Sequence, residues 1–156
     1  MFSGQYYASI SASMSVFDKN IGSRSSMCQH VMTINRTGSE YGGVAYCLVR
    51  SSLQLLGGKV TNNYGGINGG AFQIDTSTLT LTAASLQYNG AGQNGGVVNA
   101  INSSISFINN IFQSNGMDVS TGGVAVVSLS STLNSLNNTY FSSRFFFLTS
   151  SLWLLA

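Results

Sequence analysis

GGAFQIDTSTLTLTAASLQYNGAGQN, residues 69–94, decides the fold, because close relatives of this stretch lie on both sides of it. The pair that opens it, Gly69-Gly70, recurs as Gly42-Gly43, Gly95-Gly96 and Gly122-Gly123, at intervals of 27, 26 and 27 residues. A fixed period of that size marks stacked repeats, in which each unit buries its apolar face against its neighbours.

The neighbouring units are GGVAYCLVRSSLQLLGGKVTNNYGGIN (42–68), GGVVNAINSSISFINNIFQSNGMDVST (95–121) and GGVAVVSLSSTLNSLNNTYFSSR (122–144). Each holds three apolar bursts. After the glycines come Ala45 and Cys47, Phe72 and Ile74, Val98 and Ala100, and Ala125 and Val127. In the middle are Leu53 and Leu55, Leu79 and Leu81, and Ile105 and Phe107, with Leu133 a looser match. Later an apolar residue is followed three positions on by Asn: Val60 with Asn63, Leu86 with Asn89, Phe112 with Asn115. The spacing of two within the first and middle bursts reads as a short strand with one face inward.

Three strands per unit, in step, predict an all-β chain folded as a right-handed parallel β-helix, a solenoid of about 4–5 coils of 26–27 residues. Each strand then pairs with its equivalent in the next coil, about 4.8 Å away. Like sits on like: aliphatic columns inside, and a column of Asn63, Asn89 and Asn115 at a turn. Asn tolerates the left-handed conformation of a turn, and stacked amides can hydrogen-bond from coil to coil. The glycine pairs are expected to supply positive φ or a tight corner entering the first strand. They do not cradle a phosphate, since neither a helix pattern nor a Lys-Ser/Thr pair follows.

Residues 42–144 form the regular part on this reading. Residues 1–41 form an irregular N-terminal coil or coils. There Phe17-Asp-Lys-Asn20 and Met32-Thr-Ile-Asn35 repeat the apolar-x-x-Asn form, and Asn35 stands one coil, 28 residues, before Asn63. Residues 145–156, FFFLTSSLWLLA, are apolar and too few to span a bilayer. Three readings stand for them: a cap over the open end of the solenoid, which is preferred, the tail of a lipid-anchor signal, or a trailing sequence outside the native fold.

Composition fits a chain of many short strands. Only 6% of residues are charged while 44% are hydrophobic, and the apolar residues are spread at short period with 18 Gly and no Pro. A net charge of +2 without a basic patch argues against a nucleic-acid partner. Cys28 and Cys47 make neither a disulfide framework nor a metal site, and Cys47 reads as a small buried thiol on a strand. The opening MFSGQYYASIS lacks the features of a signal peptide, which suggests a non-secreted chain or, preferably, a piece of a longer one.

Gly69-Gly70-Ala71-Phe72 and Phe112-Gln113-Ser114-Asn115, with the variants Gly42-Gly43-Val44-Ala45 and Leu86-Gln87-Tyr88-Asn89, resemble the repeats of the chlamydial polymorphic outer membrane proteins. Large protist surface proteins and other pectin-lyase-like β-helix proteins carry similar repeats. The resemblance covers residues 30–144 approximately and implies a surface-exposed, adhesive or structural role. It carries over no catalytic residue.

Chemistry is sparse. The four acids are Asp18, Glu40, Asp75 and Asp118, and they do not fall on one column, whereas glycoside hydrolysis wants paired carboxylates and a lyase wants clustered acids for calcium. His30, the only histidine, lies near Cys28 without a third ligand or an orienting acid. Thr76, Thr78, Thr80 and Thr82 form a row similar to the faces of ice-binding solenoids. Their equivalents, Ser104, Ser106 and Ile108 in one unit and Ser52, Gln54 and Leu56 in another, do not repeat it. Asn35, Asn102 and Asn137 each open an Asn-x-Ser/Thr tripeptide. Asn35 cannot be both an inward ladder residue and a glycan site. The expectation is a non-catalytic structural or adhesive module of a cell-surface or secreted protein, without cofactor, metal or membrane span, meeting a protein or glycan partner. The alternative is a piece of a carbohydrate-active β-helix enzyme; an ice-binding solenoid ranks third.

Overall fold

A computed structural model describes residues 9–13, 16–18, 43–48, 50–116, 123–143 and 153–155. They are all β, with parallel pairing throughout. The first turn contributes β3 (Ala45–Leu48), β4 (Ser52–Leu56), β5 (Lys59–Thr61) and the two-residue β6 (Tyr64–Gly65). The second repeats this order with β7 (Phe72–Asp75), β8 (Thr78–Thr82), β9 (Ser85–Gln87) and β10 (Gly90–Ala91). The third holds β11 (Val98–Ile101), β12 (Ser104–Ile108) and β13 (Ile111–Gln113), and the fourth β14 (Ala125–Ser128), β15 (Thr132–Leu136) and β16 (Thr139–Phe141). β1 (Ser9–Ser13) and β2 (Val16–Asp18) precede them, and β17 (Trp153–Leu155) follows.

Each strand pairs with its equivalent one turn away. The sheets run β1-β4-β8-β12-β15-β17, β14-β11-β7-β3 and β16-β13-β9-β5-β2. The molecule is therefore a parallel β-solenoid of about three complete turns, the fourth set of strands not closing a further full turn among the described residues, rather than the four to five coils expected. The difference lies at the ends, where the outermost rungs are represented only by β1, β2 and β17. In the first two turns the pairing of β6 with β10 adds a fourth short strand to the three expected.

Direct stacking fixes the core. Leu53, Leu79, Ile105 and Leu133 form one inward column, Val60, Leu86, Phe112 and Tyr140 another. Bulk is balanced along a column: Phe72 sits between Ala45 and Val98. Phe72, Leu79, Leu81, Leu86, Phe107 and Phe112 are almost wholly buried. Each such side chain contributes about 1.5–3 kcal/mol through its removal from water.

The glycine pairs divide their work. Gly69 and Gly95 take φ of 60°, open to glycine at no steric cost. At Gly70 a Cβ would run into the backbone oxygens of Gly96 and Gly90, so the second glycine permits close stacking of turns. Gly43, Gly96 and Gly123 hold the equivalent place, while Gly42 and Gly122 lie outside the described residues.

Two expectations are corrected here. β2 pairs with β5 so that Phe17 meets Val60. The place beside Val60 that the spacing gives to Met32 is thus taken by a residue 43 positions earlier, because the period breaks before the first glycine pair. Asn20, His30, Asn35 and Glu40 lie outside the described residues. Cys47, fully buried on β3, is disulfide-bonded and not a free thiol. The one other cysteine of the sequence, Cys28, is outside the described residues. Of residues 145–156, only Trp153–Leu155 is described, paired with Asn134, Ser135 and Leu136 at the end of the largest sheet.

Candidate functional site

Three corners separate the strands of each turn, and all three follow one rule. A residue with positive φ comes first, its side chain facing outward. A small polar or small apolar residue follows, turned inward onto the equivalent residue of the next turn; in the fourth turn one exposed residue, Ser130, intervenes between Leu129 and the inward Ser131. Positive φ falls on Arg50, Thr76, Asn102 and Leu129 at the first corner. It falls on Gly57, Ala83, Asn109 and Asn137 at the second, and on Asn62, Tyr88, Ser114 and Ser142 at the third. Backbone bonds to the next turn hold the corner residues of the first two turns, as from the Thr76 N–H to the Ile101 carbonyl at 2.9 Å and from the Ala83 N–H to that of Ile108 at 2.9 Å.

The sequence reading assigned the left-handed conformation to Asn63, Asn89 and Asn115. It belongs instead to the residue before each of them. These three asparagines are buried and form a continuous ladder. Asn63 Nδ2 donates to Asn89 Oδ1 at 2.9 Å, and Asn89 Nδ2 donates to Asn115 Oδ1 at 3.0 Å. The same oxygens accept the Asn63 and Asn89 backbone N–H groups at 3.1 and 3.0 Å. Asn89 and Asn115 reach back to the Val60 and Leu86 carbonyls, each at 2.8 Å.

Two further columns escaped the sequence reading. At the first corner the backbone N–H groups of Ser51, Ser77 and Ser103 donate to the hydroxyls of Ser77, Ser103 and Ser131, at 3.1, 3.2 and 2.9 Å. Serine recurring at the turn period was the available signal. At the second corner Ala84 N–H donates to Asn110 Oδ1 at 2.9 Å, and Asn110 Nδ2 donates to Asn138 Oδ1 at 3.0 Å. That column starts only at Asn110, because Gly58 and Ala84 occupy the earlier places.

Outside the first corner runs an open trough of about 460 Å³, crossing four turns. Its floor and one wall are the serine column and the hydroxyl rank of Ser52, Thr78, Ser104 and Thr132, which stand opposite one another on successive strands. Thr76, Asn102 and Ser130 line the other side, and Arg50 supplies a cation at one end. Thr76 belongs to this corner and not to the strand row, so the row on β8 is Thr78, Thr80 and Thr82. Thr80 and Thr82 are flanked by Gln54 and Ser106, and by Leu56 and Ile108.

Aromatic side chains gather elsewhere, with Tyr64, Tyr88 and Phe141 exposed around the third corner. Asp75 is the one acid whose side chain is described, and it accepts from Thr76 Oγ1 at 2.9 Å. Asp18 lies on a different sheet, at the end of β2; Asp118 lies outside the described residues. Among the described residues no three His, Cys, Asp or Glu side chains gather as a metal ion would require. Among them, too, no helix is long and apolar enough to cross a membrane. No family model, curated protein or solved structure matches the chain.

Proposed function

We propose that this solenoid is a non-catalytic structural and adhesive module of a larger cell-surface or secreted protein, holding a protein or glycan partner on its faces and corners. The observation that carries the reading is the register of the outer surface. Ser52, Thr78, Ser104 and Thr132 repeat one chemistry from turn to turn, at the spacing of adjacent strands. An ordered rank of neutral hydroxyls suits an extended or repeating partner better than a single small substrate.

Two further features support it. The internal ladders make the rod stiff without help from its surface, which leaves the surface free to vary. The disulfide at Cys47 fits an oxidising compartment, where such bonds persist. Within this reading the chain is a polymorphic-outer-membrane-protein-like repeat of pectin-lyase-like architecture. The motif residues support that assignment by their places, with Gly-Gly at the entry to the first strand and the Asn of Phe112-Gln113-Ser114-Asn115 in the ladder.

The test is binding of the purified chain to a glycan array and adhesion of chain-coated beads to cells, alongside incubation with polysaccharides. Saturable binding without turnover is expected. Release of new reducing ends or unsaturated sugars would overturn the non-catalytic assignment in favour of a carbohydrate-active enzyme. Absence of any binding would remove the adhesive part.

A further inference from the structure

We propose that Asn102 and Asn137 are acceptor sites for N-linked glycans, presented by the first and second corners. The proposal rests on passage through a secretory compartment, as in the reading above. The acceptor tripeptide needs Asn at one position and Ser or Thr two residues on, both reachable from solvent. The corner rule supplies that geometry: the positive-φ residue faces outward, the next turns in, and the one after opens the following strand facing outward.

Asn102 is exposed with φ of 50°, Ser103 is in the buried serine column, and Ser104 is exposed at the start of β12. Asn137 is exposed with φ of 51°, Asn138 turns in to accept from Asn110, and Thr139 is exposed at the start of β16. Both tripeptides that fall among the described residues occupy this frame. The buried ladder asparagines stand one place later, and the residues two beyond them are Gly65, Ala91 and Met117, none with a hydroxyl.

The chemistry leaves the corner intact. A lipid-diphosphate-linked oligosaccharide is the donor: a bond forms from Asn Nδ2 to sugar C1 as the C1–O bond to the lipid diphosphate breaks. One Nδ2 proton passes to the transferase and the other remains. Asn137 therefore keeps an N–H for Asn109 Oδ1, to which it donates at 2.8 Å. At Asn102 the first sugars enter the open trough beside Ser130 and Thr132.

The experiment places the full chain behind a cleavable signal sequence in a eukaryotic secretory host. Cell-associated and secreted chain are both digested with peptide-N-glycosidase in heavy-oxygen water and mapped by mass spectrometry. Labelled conversion to Asp is expected at positions 102 and 137, and Asn102→Gln and Asn137→Gln should each remove one glycan. The glycosylated chain should melt cooperatively, within a few degrees of the doubly substituted one. Unmodified Asn102 and Asn137 in translocated chain overturn the proposal, as do glycans confined to aggregated chain. Because the Asn102 glycan would cover part of the hydroxyl rank, binding is read on the doubly substituted chain as well. No partner bound by either form counts against the adhesive reading alone, and a chain that binds but lacks the glycans counts against this inference alone.

Discussion

In the third turn Phe107 and Phe112 fill the core side by side, ring centroids 5.0 Å apart and tilted by 50°. In the fourth turn Ser135 and Tyr140 take the same two places in register. The lost bulk is replaced by a hydrogen bond: the Ser135 and Tyr140 hydroxyls lie 2.9 Å apart, and Asn138 Nδ2 donates to Ser135 Oγ at 3.0 Å. The Tyr140 ring meanwhile stacks on Phe112 at 5.0 Å, with 8° between planes. A column in this solenoid thus tolerates a change of chemistry where the paired position changes with it. Among the described residues no buried side-chain nitrogen or oxygen lacks a partner, so the fourth turn is a compensated variant and not a defect.

The largest effect is expected where the two turns share a side chain. Phe112→Ala removes the ring on which both Phe107 and Tyr140 rest, and should cost about 3–5 kcal/mol in urea unfolding. A loss below about 1 kcal/mol would break the comparison, since the fourth turn would then not lean on the third. Next comes the third-corner ladder, strong in its middle and weak where it enters the fourth turn. Asn89→Ala removes the oxygen that accepts from the backbone and side-chain N–H groups of Asn63 and the donor to the Val60 carbonyl, at a cost on the order of 2–4 kcal/mol. Ser143, which accepts from the Asn115 N–H at 3.2 Å, closes the ladder in the fourth turn. Ser143→Ala should cost only about 0.5–1.5 kcal/mol. Equal losses would show that the ladder's strength is uniform and its serine end no weaker.

A smaller effect isolates the compensation itself. Ser135→Ala and Tyr140→Phe are each expected to cost about 1–2 kcal/mol, and the double variant less than their sum by about 1 kcal/mol. Strict additivity would mean that the two hydroxyls lie together without supporting one another.

How much of this the sequence disclosed follows from the physics of stacking. Strand equivalence was legible because parallel turns in register force like residues onto one column, so Ser52, Thr78 and Ser104 align by period alone. Asn63, Asn89 and Asn115 were legible as a column for the same reason. The positive-φ positions were not, because Arg50, Thr76, Ala83, Tyr88 and Leu129 share a backbone conformation but no side-chain chemistry. All five have a side chain in solvent, and the first four a backbone bond to the next turn, and neither feature leaves a mark in the residue type. The alignment of Phe17 with Val60 was hidden by a 43-residue offset where the regular units differ by 26–28. The bond at Cys47 was hidden because its place in a strand core gives the same reading for a thiol as for a half-cystine. The trough escaped notice because it joins corner residues to the first residue of each following strand and runs across the turns, so it takes in only Thr76 and Thr78 of the threonine row that drew attention first.

The smallest effect is a difference in pH dependence. Burial raises the pKa of the Tyr140 hydroxyl above its usual 10.0, and the bond to Ser135 opposes that rise. The folded state therefore holds its proton more tightly than the unfolded chain does. Below a pH of about 10 both states are protonated, and the contribution to stability is fully present. Above that value the unfolded chain ionises first, so stability falls with rising pH until Tyr140 ionises in the fold as well. Unfolding midpoints from about pH 8 to 11 should accordingly decline more steeply for the natural chain than for Tyr140→Phe, which has nothing to ionise at this place. In Ser135→Ala the opposing bond is gone, burial acts alone, and the decline should extend to higher pH. Identical slopes in all three proteins would mean that Tyr140 is as well solvated in the fourth turn as in the unfolded chain, and that the stacking on Phe112 does not shield its hydroxyl.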